Sequence, residues 1–124
     1  TSLVPLIRQI PLVSSLLEGK SVNGKCIKGS IIQLSKRSAR IILDDEVEIL
    51  SNLKMNLKDV DESLSQNDFY GKVVDLSDDR LRVHLVRFTS VPAEIGAYFQ
   101  SHRQHSEKRP PIKKIKLKGT YIRL

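Results

Sequence analysis

The sequence holds one cysteine, Cys26, and no tryptophan. A lone cysteine rules out an internal disulfide and fits a reducing compartment. Within GKCIKGSIIQL it reads as a small strand residue rather than a reactive thiol. No apolar run approaches the roughly 18–20 residues that a membrane-spanning helix needs, and no signal-peptide pattern is present. Internal repeats are missing too. These absences point to a soluble, cytoplasmic domain.

Positive charge is absent from most of the chain in a different sense. The net charge is +7, yet Thr1 to His102 carry 13 Lys and Arg against 13 Asp and Glu. The excess lies in Arg103 to Leu124, where eight basic residues face Glu107 alone. A basic surface over the whole domain, the usual footprint of a nucleic-acid binder, is therefore not expected. Only the tail offers salt-sensitive, sequence-independent attraction to nucleic acid or an anionic surface, with Tyr121 alone available there for stacking.

What is present is 124 residues with 40% apolar side chains, enough for one domain around one core. The chain opens on Thr1 and is read as a piece of something longer. Residues 1–20 form a leucine-rich segment or linker. Pro5 and Pro11 prevent one continuous helix there, while Pro11 is placed to start a short helix through Glu18, with Gly19 ending it. From Asn23 the rhythm is that of strands. GKCIKGSIIQL, ARIIL, LKMNL, FYGKVVDL and RLRVHLVRFTS alternate as half-buried strands do. Gly71, inside its strand, marks a bend or close backbone approach. DDEVE, Asp44 to Glu48, reads as a solvated connection, and DVDESLSQND as a polar hairpin tip.

Ser90 is placed to cap a helix carrying Pro92 and Glu94 in its early turn. Ile95, Tyr98 and Phe99 then share one face that must lie on the sheet. After His102, KRPPIKKIKLKGTYIRL alternates Ile115 and Leu117 against lysines, a strand pattern with one basic face. The sum is an all-β fold, a small six-stranded antiparallel barrel over residues 21–102 with one C-terminal helix, followed by a basic tail over 103–124.

The corner RFTSVP followed by EIGAYF resembles the closing element of PilZ domains, small barrels known as cyclic di-GMP receptors. GSIIQLSKRSARIIL is similar to that family's strand, serine turn and strand; NLKMNL and FYGKVVDL resemble its later strands. The likeness runs from about Leu6 to Gln100, and the Gly71-Lys72-Val73-Val74 stretch is most like PilZ modules attached to class III nucleotide cyclases and other signalling proteins. It implies a ligand site at Arg8, Gln33, Ser35, Lys36, Arg37 and Arg40. The family's first motif has two arginines four apart, where this chain has Val4 and Arg8. Its second has Asp or Asn, then Ser, then Gly, where this chain has Gln33, Ser35 and Ser38. A second register would use Arg40, Asp75 and Ser77.

With the motifs so altered, the resemblance implies a non-catalytic regulatory module of a larger signalling protein, an adenylate or related cyclase among them, with a neighbouring domain or a protein as partner. The leucine-rich segment and the tail are its expected contact surfaces. The alternative is a receptor that binds cyclic di-GMP itself. No enzyme is expected. His84 reads as a packed or edge strand residue, His102 and His105, three apart, are not expected to form a metal site, and Ser35 and Ser77 have no evident base.

Overall fold

Alternation decides the interior. In a strand every second side chain faces one side, and in ARIIL this sends Ala39, Ile41 and Leu43 inward while Arg40 and Ile42 stay half-buried outside. NLKMNL does the same with Leu53, Met55 and Leu57, all fully buried. The computed structural model describes residues 2–18, 21–78 and 82–108.

Six strands follow one another: β1 (Val4–Glu18), β2 (Ser21–Leu34), β3 (Ser38–Leu43), β4 (Asn52–Leu57), β5 (Phe69–Asp78) and β6 (Val83–Ser90). They close into an antiparallel barrel in the order β1, β2, β3, β6, β5, β4, with β4 pairing back onto β1. A short helix α1 (Glu62–Ser65) joins β4 to β5, and α2 (Ala93–Lys108) follows β6. The polar tip expected over DVDESLSQND thus contains α1, held to β4 because the Asn56 side-chain amide donates to the Ser65 carbonyl at 2.5 Å and to Asp68 Oδ1 at 3.2 Å.

The N-terminal stretch corrects the reading of residues 1–20. Pro11 to Glu18 is strand, not helix, and β1 is an integral stave of the barrel rather than a separate segment. Ile10, Leu12 and Ser14 are buried at every second position, and this period of two outweighs the helical spacing of Leu12, Val13, Leu16 and Leu17. Proline is tolerated for a geometric reason. The Pro11 carbonyl accepts from the Lys58 N–H, so the ring nitrogen faces the same edge, just beyond the end of β4, where no donor is required.

Both mouths are plugged. At one, the connection from β3 to β4 crosses the barrel and buries Val47. The Val47 N–H donates to His84 Nε2 at 2.8 Å, and His84 Nδ1 lies 2.7 Å from the Arg82 carbonyl, which fixes the proton on Nδ1. On the outside, Asp45 pairs with Lys25 at 2.9 Å and with Arg82 at 4.0 Å. Leu50 ends this strap with φ of 77° and 68% exposure, its N–H bonded to the Val73 carbonyl.

At the other mouth, α2 inserts Ile95 and Phe99, with Tyr98 packed beside them, as the apolar stripe requires. Phe99 stacks on Phe88 at 5.5 Å and meets Phe69 edge-on at 5.3 Å. Two details differ from expectation. Ser90 is the last residue of β6 rather than the helix cap, and Pro92 takes the capping position by accepting from the Gly96 N–H. The helix also runs past His102 to Lys108. The strand expected in the basic tail lies outside the described residues.

Candidate functional site

The core is built mainly of apolar side chains, and the described clefts lie on the outside. The rim beside the start of α2 is where the sequence placed a ligand. Here β2 turns into β3 through Ser35-Lys36-Arg37-Ser38, and Arg87 on β6 lies directly opposite Ser38. Phe88 N–H donates to the Arg37 carbonyl at 2.8 Å, fixing this turn to the end of β6.

Ser35 makes the turn. Its Oγ accepts from the N–H of Ser38 at 3.0 Å and of Arg37 at 3.3 Å, and donates to the Ser38 carbonyl at 3.4 Å. One donor and two acceptor sites are all a hydroxyl has, so this buried side chain is committed to the backbone. Ser38 is not among the described non-glycine residues with positive φ. The turn therefore closes with an ordinary backbone at the place where the resemblance looks for glycine.

With the backbone so arranged, Lys36 and Arg37 project into solvent, and Arg87 joins them across the β3–β6 pairing. The three line a cleft of about 310 Å³ together with Phe88, Thr89 and Ser90. No ion pair within the described residues engages any of the three cations. The lining offers guanidinium, ammonium and hydroxyl groups, a donor set for phosphate oxygens.

The other expected site residues go elsewhere. Arg8 lies in a separate cleft with His102 and His105, under the far end of α2. Gln33 and Arg40 face each other across β2 and β3, half-buried on the outer wall. The second register fares differently. Arg40 and Asp75 are both paired with Leu85, one on each side of β6, and so stand about 10 Å apart, two strand spacings. The Asp75 carboxylate accepts from the Leu76 N–H at 2.8 Å, and the side chain of Ser77 is outside the described set.

Arg87 and its neighbours Thr89 and Ser90 were not among the sequence-derived site residues. Alternation does put Arg87 outside, next to inward Val86, but only the register of β3 on β6 brings it to the serine turn. The histidines divide by role. Burial pushes the His84 imidazole below its ordinary pKa, against the opposing pull of the Arg82 carbonyl; Nε2 holds the strap through the Val47 N–H and Nδ1 is engaged by the Arg82 carbonyl. Among the described residues no cluster of His, Cys, Asp and Glu is arranged to hold a metal ion, and no helix is long and apolar enough to cross a membrane.

These features define a closed six-stranded antiparallel barrel with a helix over one mouth and a cationic cleft beside that helix. Comparison of the chain with protein-family models, curated proteins and solved structures gives no match.

Proposed function

We propose that this chain is a non-catalytic, PilZ-like regulatory barrel of a larger signalling protein, and that its input is a phosphate-bearing ligand of the cyclic di-GMP class held in the cleft of Lys36, Arg37 and Arg87. The observation that carries the reading is the convergence of these three cations, without acid partners among the described residues, on one cleft. Among the described residues the cleft lining offers a set of hydrogen-bond donors suited to holding an anion.

Calorimetric titration with cyclic di-GMP at low salt tests it. Saturable heat is expected, weakening as salt screens the cations. Replacing Arg37 and Arg87 by Ala together is expected to lower affinity at least about tenfold, since each charge-assisted bond contributes about 1.5–3 kcal/mol. No saturable heat up to about 1 mM ligand, or equal affinity in the double variant, removes the ligand from the proposal.

A second reading, a protein partner or neighbouring domain, is favoured by the strap. Ile49 and Leu50 expose 48% and 68% of their surface there, beside the 36% exposed Val74. In the leucine-rich stretch Ile10 and Leu12 face the core, while Ile7 is exposed. Under this reading hydrogen exchange at Ile49–Ser51 is slower in the parent protein than in the isolated chain; equal rates exclude it.

A further inference from the structure

At the opposite end of α2 the fold builds another cleft, which goes beyond the function proposed above. In β1 the pairing with β2 is interrupted between Pro5 and Ile10. Pairing with β4 begins only at Leu12. Ile7 and Arg8 therefore leave the ladder on both sides, and bulges of this kind re-aim side chains. The last turns of α2 cover the free edge, with the Ile7 N–H donating to Ser106 Oγ at 3.3 Å across 99 residues of sequence. That leaves the Ser106 hydroxyl proton available to a ligand.

Between strand and helix lies a cavity of about 240 Å³ lined by Ile7, Arg8, His102, His105 and Ser106. His102 and His105 fall three apart, on one helix face. Among the described residues no carboxylate lines the cavity, and Arg8 enters no ion pair there. We infer that this cleft is a second binding site, for a small phosphate-type dianion, held by Arg8 and the Ser106 hydroxyl and completed by His102 and His105 in their protonated form.

The charges around it support that coupling. From β1 comes Arg8. Tyr98, His102 and His105 come from α2, and Asp61, just ahead of α1, acts on Tyr98. The His102 imidazole is held below its ordinary pKa by burial first and then by His105 and Arg8. A dianion among these groups relieves the repulsion, so anion binding and proton uptake must promote each other to the same extent. The Tyr98 ring, edge-on to His102 at 4.6 Å, holds the imidazole in place.

The test follows the three imidazole C–H resonances by NMR as pH is varied, with inorganic sulfate or with chloride at equal ionic strength. Sulfate remains a dianion throughout, whereas phosphate groups themselves titrate near pH 6. Sulfate is expected to raise the midpoint of His102 while leaving His84, buried at the other mouth, unmoved. Its affinity should be at least tenfold higher at about pH 5.5 than at about pH 8. Arg8→Gln should abolish the rise, whereas Arg37→Ala with Arg87→Ala should leave it intact, which separates this cleft from the one proposed for cyclic di-GMP. Equal shifts at all three histidines, an unchanged rise in Arg8→Gln, or no rise at all overturns the inference. Acetate matching sulfate overturns the ligand class.

Discussion

Gly71 is buried on β5, and a Cβ built there would lie 2.5 Å from Val86 Cγ1 and 3.0 Å from the Arg87 carbonyl. Only a hydrogen fits while β5 and β6 keep their spacing. Gly71→Ala is therefore expected to destabilise the fold by about 1–3 kcal/mol through overpacking, read as a lower midpoint in urea with unchanged slope; an unshifted midpoint would mean that β6 gives way freely. The close approach was legible because a glycine interrupts FYGKVVDL, a run otherwise suited to a strand. Ser35 was legible as a turn residue, but not the direction of its hydrogen bonds. Sequence spacing does not say whether a hydroxyl serves its own backbone or a ligand, and here the backbone takes it all.

Among the elements, α2 was the most readable, because Ile95, Tyr98 and Phe99 can share a face only in a helix. Phe99 is 4% exposed and meets Phe69, Phe88 and Tyr98. Phe99→Ala is expected to cost about 3–5 kcal/mol. Thermal unfolding read in the far ultraviolet checks this, and a loss below about 1 kcal/mol would mean that α2 is not seated as described. The element misread was β1. Its two prolines and adjacent leucines imitate a broken helix, and the strand that supplies its partner edge, β4, starts far along the chain at Asn52. Arg87 was missed for a related reason, since no local pattern records which strand β6 lies beside.

Taken whole, the molecule is a barrel with two different stoppers, one aromatic and one strapped by an imidazole. The second makes stability depend on pH. His84 has its pKa lowered in the folded state, chiefly by burial, while the unfolded chain takes up a proton near the ordinary value of about 6.5. As pH falls below that value the unfolded state binds the extra proton first, so stability present at neutral pH is lost on acidification. His102, also lowered, acts in the same direction. Denaturant midpoints are expected to fall between about pH 7.5 and 5.5 in the native sequence and to fall less in His84→Gln; an identical fall in both would clear His84 of the effect. The closure through β1 has a kinetic corollary as well. The seam between β1 and β4 and the Ile7–Ser106 clasp join distant parts of the chain, so during synthesis the first stave must wait, unpaired on one side, until β4 has emerged. Topologies of such high contact order fold on the slow scale of milliseconds to seconds, and the waiting edge of β1 is the stretch on which a chaperone or a misplaced neighbour would act.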